Sequence, residues 1–308
     1  MTSYDIAVVG GGPAGLTAAL YARRAGRSVV LLERESFGGQ ITFSPMVDNY
    51  PALPHVSGAE LANRLYEQVD SLGAELTCAD VTAVRREADG FALMTDLGAY
   101  RARALILATG VKHRTLGLPG EEELVGCGVS YCAVCDGAFY AGRDVAVVGG
   151  GDTALQDALF LSRTCRSVTL LHRRAELRGE AALAAKLRAC ENVTILLSHT
   201  VEALHAENGA LTGLTVRDRV SGQARTLAVD GVFAAVGQQP CAEAFADLAE
   251  PDEAGYLLAG EDTATRCPGV FAAGDCRRKA VRQLTTAVGD GASAALAACR
   301  YLQSLEKT

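Results

Sequence analysis

Residues 5–10, DIAVVG, form a short apolar run rich in β-branched side chains that ends in glycine. Such a run predicts a buried strand that stops at a turn. LTAALYARRAG (16–26) then reads as a helix, and SVVLLE (28–33) as a second strand ending at Glu33. The same order returns as DVAVVG (144–149), LQDALFLSRTC (155–165) and SVTLLH (167–172). DIAVVGGGPAG and DVAVVGGGDTA nearly superimpose at an offset of 139 residues, so the chain carries an internal duplication. Two more apolar runs complete the pattern. ALILATG (104–110) is a buried strand closing on Ala108, Thr109 and Gly110. GVFAAGDC (269–276) is another, ending at Asp275 and followed by a helix through TTAVGDGASAALAACRYL. Alternating strands and helices of this kind predict an α/β chain with two Rossmann-like, three-layer dinucleotide-binding domains. If 269–308 completes the first domain, the second is inserted into it. The crossings then fall near Lys112–Gly117 and Gly237–Ala244, giving residues 1–114 with 243–308 as one domain and 115–242 as the other.

The turns after the two first strands carry the chemistry. The first reads Gly10-x-Gly12-Pro13-Ala14-Gly15, with Glu33 lying 23 residues beyond Gly10. The glycines allow a tight turn and close backbone approach to a pyrophosphate at a helix N-terminus, and an acid at that distance accepts hydrogen bonds from ribose hydroxyls. Strand, turn, helix and acid in register make a far more specific signal than the glycines alone. The second turn reads Gly149-x-Gly151-Asp152-Thr153-Ala154, but its second strand ends in His172-Arg173-Arg174, with Arg178 following. An acid repels a 2′-phosphate, whereas guanidinium groups hold one bidentately. The second site therefore reads as an NADPH site and the first as an ADP site lacking that phosphate, for which FAD is the natural occupant. Asp275 at its strand end is placed to hold a ribityl or phosphate-linked hydroxyl. Arg282 and Gln283 lie near the start of the last helix, whose positive end suits a reduced, anionic flavin.

Composition narrows the field. The chain has 308 residues, 49% hydrophobic and 21% charged, with no tryptophan. A net charge of −7 and a pI near 5.3 favour neither nucleic acid nor anionic lipid as partner. No apolar run reaches the roughly 18–20 residues needed to span a bilayer. The N-terminus MTSYDIAVVGGG lacks a basic region and a cleavage site, so a cytoplasmic location is expected. In a reducing compartment most of the ten cysteines are free thiols, and a close pair is a redox or metal candidate. Cys78, Cys165, Cys190, Cys241, Cys267 and Cys299 are scattered and read as small, partly buried hydrophobes.

One cysteine cluster stands apart: GCGVSYCAVCDG (126–137) holds Cys127, Cys132 and Cys135, with Asp136 after the last. A plant-type iron–sulfur cluster needs a fourth thiolate from elsewhere, and zinc needs more ligands than one CxxC supplies. A structural disulfide is disfavoured in the cytosol. A redox-active pair at a helix start is the reading that remains, since the helix end stabilises a thiolate. Asp136 is then either a proton donor to a leaving thiolate or only a capping carboxylate.

Taken together, GGGPAG, GGQI (38–41), DNYP (48–51), ATG, CAVCDG, GGGDTA, HRRAELR and GVFAAGDC followed by RQ resemble the low-molecular-weight, bacterial-type thioredoxin reductases, which use FAD and NADPH. The likeness runs nearly end to end. It implies a flavin domain at both chain ends and an inserted NADPH domain carrying the CxxC. It implies flavin contacts at Gly38, Gly39, Gln40, Asn49, Asp275, Arg282 and Gln283, and a 2′-phosphate clamp at Arg173, Arg174 and Arg178. It implies that electrons pass from NADPH through FAD to a Cys132–Cys135 disulfide, with Cys135 facing the flavin, Cys132 attacking a thioredoxin-like small disulfide protein, and Asp136 handling the proton. It also implies a homodimer and a large rotation of one domain against the other. The chain departs from the common pattern at Asp152, Gln156, Cys127, the loop NYPALPHVSG, and the basic run Cys276–Lys279 (CRRK). A ferredoxin-dependent branch lacks the second nucleotide motif, which is intact here. A dithiol oxidase would need no NADPH site. A non-catalytic redox sensor would turn over NADPH negligibly.

Overall fold

The computed structural model describes residues 2–44 and 46–306. In chain order it opens with β1 (Ser3–Val9), α1 (Pro13–Arg24), β2 (Val29–Glu33), α2 (Gly58–Asp70), β3 (Glu75–Cys78), β4 (Val81–Glu87), β5 (Gly90–Thr95), β6 (Gly98–Leu107) and β7 (Val111–His113). The next stretch holds β8 (Val129–Ser130), α3 (Ala133–Asp136), β9 (Asp144–Val148), α4 (Asp152–Leu161), β10 (Ser167–His172), α5 (Ala181–Arg188) and β11 (Val193–Leu197). Then come β12 (His199–Glu207), β13 (Ala210–Asp218), β14 (Ala224–Ala228), β15 (Gly231–Ala234) and β16 (Gln238–Pro240), before β17 (Val270–Ala272) and α6 (Leu284–Leu305).

The chain divides into two compact units, 1–112 with 239–308 and 113–238. The sequence pattern places these crossings at 114/115 and 242/243. The structure has them inside β7 and β16, short strands that pair with each other.

In the first unit β3, β2, β1 and β6 lie side by side. The long β6 divides its other edge. Leu105–Leu107 pair in parallel with β17, while its first half pairs antiparallel with β5, which continues to β4. β1 shows why the sheet is buried on both faces: Ile6 and Val8 join one apolar cluster, Ala7 and Val9 the other. Period-2 alternation with both sets apolar is the signature of a parallel sheet covered on each side. One cover is α1 against α6, where small residues permit close approach. A Cβ added at Gly291 would stand 2.2 Å from the carbonyl oxygen of Ala14.

The second unit repeats the plan with β11, β10, β9, β15 and β8, all parallel, and adds the antiparallel meander β12–β13–β14. Val145, Val147 and Leu170 face α4, while Ala146 and Leu171 face the meander cluster with Leu214 and Val216. The expected strands and helices are present in both units. The main trimming is at two elements: α4 stops at Leu161 rather than running to Cys165, and the strand expected to end at Asp275 stops at Ala272, leaving Asp275 in a 3-10 turn, Gly274–Cys276.

Candidate active site: two glycine turns and a cysteine pair

In the first unit, Gly10 has φ +102, and a Cβ there would meet the carbonyl oxygen of Ala108 at 2.3 Å. A Cβ on Gly15 would sit 1.8 Å from the carbonyl of Gly10. These two glycines are demanded by the packing of strand against helix. Gly12 is different. It has an ordinary φ of −73, and a Cβ there would meet nothing within 4 Å. It precedes Pro13 and Ala14 and caps α1, whose first N–H groups receive no side-chain cap.

Glu33 stands at the end of β2, where Oε2 accepts from Gly11 N at 2.6 Å. The Gly38–Gly39 turn is pinned by Gly38 N donating to Gly11 O at 2.8 Å, and Gln40 donates its amide to the Val111 carbonyl. At the end of β6, Ala108 N donates to Val9 O at 2.8 Å, and Gly110 turns with φ +65. Between them, Thr109 Oγ1 is buried without a hydrogen-bond partner.

Chain-distant residues meet at the start of α6. Gln283 forms a capping box with Thr286, and Asn49, 234 positions away, donates to Gln283 Oε1 at 3.4 Å. Arg282 lies 4.0 Å over the Tyr256 ring, with Nε donating to the Asp275 carbonyl at 3.3 Å. Asp275 Oδ1 lies 3.3 Å from Lys279 Nζ, yet no donor reaches it in hydrogen-bond geometry. Burial pushes this carboxyl upward, against the pull of Lys279 and Arg282.

The second unit repeats the construction residue for residue. Gly149 has φ +159, and its Cβ would meet Ala235 O at 2.4 Å, as Gly10 meets Ala108; it would also meet the Ala154 methyl at 2.7 Å. Gly151, capping α4 ahead of Asp152 and Thr153, has open space where a Cβ would point. His172 occupies the place of Glu33: its ring would be 2.2 Å from a Cβ on Gly150. Burial and then the Arg178 charge hold His172 below the usual imidazole range, so the ring is neutral, and its Nε2 is buried without a partner.

Arg173, Arg174 and Arg178 are exposed and, among the described residues, make no ion pair. Their backbone is held firmly. Arg178 N donates to Gly150 O at 2.6 Å, and Asp152 Oδ1 accepts from Glu180 N at 2.7 Å. Arg219, from beyond β13, donates to Arg173 O at 2.9 Å.

Cys132 and Cys135 are joined in a disulfide with Cα atoms 5.3 Å apart. Cys132 caps α3, and its Sγ accepts from Cys135 N at 3.2 Å. The helix is one turn of 4 residues followed by a 3-10 turn, so this one N–H, rather than a long helix dipole, is what the fold offers a thiolate. Asp136 Oδ2 accepts from Ser130 Oγ at 2.6 Å, while Oδ1 is buried without a partner. Burial pushes the carboxyl above its ordinary range, and the Ser130 bond opposes this only in part. Val134, Phe139 and Phe160 are exposed large hydrophobics on the same unit, and the Phe160 ring would lie 3.1 Å from a Cβ on Gly137, next to Asp136. Cys127 is exposed and free, as is Cys78, which is not the partly buried hydrophobe expected.

Buried polar atoms are nearly always paired. Among the described residues four side-chain atoms are not, and they belong to Thr109, Asp136, His172 and Asp275, all among the sequence-predicted site residues. Two are in each unit. With open space where a Cβ of Gly12 or Gly151 would point, this is the arrangement expected where ligand or substrate atoms complete the polar partners. The first unit fits FAD and the second fits NADPH. Sequence reasoning missed Ala235-Val236-Gly237, the counterpart of Ala108-Thr109-Gly110, as well as Ser130 and Arg219. The match of AVG to ATG after an apolar strand was the available signal for the first; Ser130 and Arg219 gave none.

The sequence profile described as pyridine nucleotide-disulphide oxidoreductase matches residues 4–291. The chain belongs to that family. It is 40% identical to the thioredoxin reductase of Bacillus subtilis over 305 residues, covering 99% of this chain and 96% of that protein. It is 43% identical over 304 residues to the bifunctional thioredoxin reductase/thioredoxin of Mycobacterium leprae, covering 98% of this chain and 66% of the other. The crystal structure of thioredoxin reductase from Streptococcus pyogenes superposes with a TM-score of 0.94 at 39% identity, covering 98% and 99% of the two chains.

Proposed function

We propose that this chain is an NADPH-dependent thioredoxin-disulfide reductase. One observation carries the reading: the Cys132–Cys135 disulfide is followed by an acid with a buried, unpartnered oxygen, in a chain with two glycine-turn nucleotide folds. The unit of 1–112 and 239–308 is assigned to FAD, through Gly10, Gly12, Gly15, Glu33, Gly38–Gln40, Asn49, Ala108–Gly110, Asp275, Arg282 and Gln283. The unit of 113–238 is assigned to NADPH, through Gly149, Gly151–Ala154, His172, Arg173, Arg174 and Arg178.

When bound, NADPH would supply a hydride and FAD would relay its electron pair, the chemistry needed to open the Cys132–Cys135 disulfide to two thiols. The Cys135 N–H aimed at Cys132 Sγ favours the thiolate at Cys132. That thiolate attacks one sulfur of the substrate disulfide, forming a mixed disulfide and expelling the other sulfur, to which Asp136 gives a proton. Cys135 then attacks Cys132 Sγ, re-forming the internal disulfide and releasing the second substrate thiol. One NADPH and one proton thus yield NADP+ and two thiols. A thioredoxin-like small protein is the acceptor, in keeping with the relative whose name joins thioredoxin to the reductase. The active species is a homodimer in the cytoplasm. Among the described residues no helix is long and apolar enough to cross a membrane.

Anaerobic addition of NADPH should bleach the flavin of the purified protein, and oxidised thioredoxin should restore its colour. If NADPH leaves the flavin oxidised while reduced ferredoxin bleaches it, the donor is wrong. Rapid oxygen consumption with a dithiol and no NADPH would mark an oxidase.

A further inference from the structure

The run Cys276-Arg277-Arg278-Lys279 carries three cations in four residues. Only Arg278 faces solvent, with its side chain 67% exposed. Lys279 and Arg277 turn inward onto Asp290, at 9%, 13% and 12% exposure respectively. Arg277 is fully engaged. It reaches Asp290 Oδ1 at 2.8 Å and Oδ2 at 3.2 Å, and the carbonyls of Ala259 and Gly260 at 3.2 and 3.0 Å. Gly274 N adds a bond to Asp290 Oδ2 at 3.1 Å. Lys279 is shared. Its Nζ lies 3.1 Å from Asp290 Oδ2, 3.4 Å from Thr286 Oγ1 and 3.3 Å from Asp275 Oδ1, the buried atom that no hydrogen-bond donor satisfies.

We propose that Lys279, anchored on Asp290, is a positioning residue of the flavin site that fixes the Asp275 carboxylate as an acceptor for a hydroxyl of bound FAD. The inference rests on the reading that Asp275 contacts FAD. The charges facing Asp275 are Lys279, Arg282 and Asp290; Arg277 is committed to Asp290. Burial and Asp290 both drive the Asp275 carboxyl toward its neutral form, and Lys279 is the foremost charge opposing them. Without Lys279 the carboxyl takes up a proton at higher pH and becomes a poorer acceptor.

The test is FAD release from diluted holoenzyme, followed by the fluorescence of freed FAD between pH 6 and 8.5, with far-UV circular dichroism as the folding control. Lys279→Met should weaken FAD retention at least tenfold at pH 7, and the deficit should widen toward pH 6 and narrow toward pH 8.5. Lys279→Arg should restore retention to within threefold. Should Lys279→Met not fold, Lys279→Gln, which keeps a polar amide between the carboxylates, serves the same comparison. A deficit that shrinks as pH falls overturns the proposal, because relief of Asp275–Asp290 repulsion is then the dominant effect. So does undiminished retention in Lys279→Met while Asp275→Asn loses FAD, which leaves the Asp275 reading standing. If Asp275→Asn also retains FAD fully, the underlying reading falls, and the inference with it.

Discussion

Asp136→Asn separates the proton donor from the capping carboxylate. The amide is nearly isosteric and keeps an oxygen for the Ser130 hydroxyl, now accepted at 2.6 Å by Oδ2, so the turn after Cys135 should stay in place. What disappears is the dissociable proton. General acids are worth about 10²–10⁴ in rate. The leaving group here is a thiolate with a conjugate acid near pKa 8.5, already a tolerable anion at neutral pH, so the low end applies. The expected loss is roughly 10²-fold in kcat for thioredoxin reduction, or about 2.7 kcal/mol of barrier. Flavin reduction by NADPH should be unchanged, since no thiol proton moves in it. Stopped-flow absorbance of the flavin gives the second rate, and steady-state thioredoxin turnover gives the first. Stability supplies an independent check. Burial raises the Asp136 carboxyl in the folded state, so its contribution is fullest below the ordinary carboxylate range and is lost as pH rises through the raised value. The unfolding midpoint of Asp136→Asn relative to the parent should therefore climb with pH. Turnover within threefold of the parent across pH 6–9 would refute the proton-donor role and leave only the cap.

The remaining predictions use different parts of the molecule. Replacing Arg173 and Arg174 together by alanine should raise the KM for NADPH about 30-fold, the low end expected for two solvent-exposed guanidinium–phosphate contacts at about 2 kcal/mol, and barely move that for NADH; equal effects on both nucleotides would discredit the clamp. Gly12→Ala should fold with little loss yet release FAD, and Gly151→Ala should spare FAD while weakening NADPH, because in each case a Cβ meets nothing in the protein; Gly10→Ala, with its clash at Ala108, should instead destabilise the fold in thermal denaturation. Cys132→Ser or Cys135→Ser should abolish thioredoxin turnover and spare flavin reduction, whereas Cys127→Ser should leave both intact, as measured by the same two assays. Asp157 on α4 is raised from 3.8 to about 7 by burial alone, so its stabilising effect is complete below pH 3.8 and lost by about pH 7. Asp157→Asn should raise the unfolding midpoint at pH 8 and leave it alone at pH 3.5, with about 4 kcal/mol as the ceiling because the group is only half-buried.

How much of this was legible in the sequence follows from how local each determinant is. Gly10 and Gly15 could be read because the steric demand lies within one turn and its flanking strand and helix. Glu33 and His172 could be read because the βαβ unit keeps constant length, so an offset of 139 carries one onto the other. Lys279 could not. The sequence shows only that it ends a basic run, and the fold reveals Asp290 waiting 11 residues on, with Asp275 beside it. Gln283 was named from its place near the start of the last helix and Asn49 through family resemblance, but their meeting across 234 positions belongs to the tertiary structure.

The duplication also explains the triplet that was missed. Gly10 and Gly149 each abut the carbonyl of an alanine at the end of a neighbouring parallel strand, Ala108 in one unit and Ala235 in the other. That contact closes the nucleotide turn against the sheet, so a glycine must follow each alanine to let the chain turn away: Gly110 with φ +65 and Gly237 with φ +116. The middle residue is then free to differ. Thr109 presents a buried, unpartnered hydroxyl in the first unit, where Val236 offers none in the second. The same backbone thus carries a polar handle on the side assigned to the permanently held cofactor and an apolar one where the nucleotide must come and go. On that basis Thr109→Val should weaken FAD retention by the worth of one buried hydrogen bond, about 1 kcal/mol or fivefold, while leaving the NADPH KM unchanged.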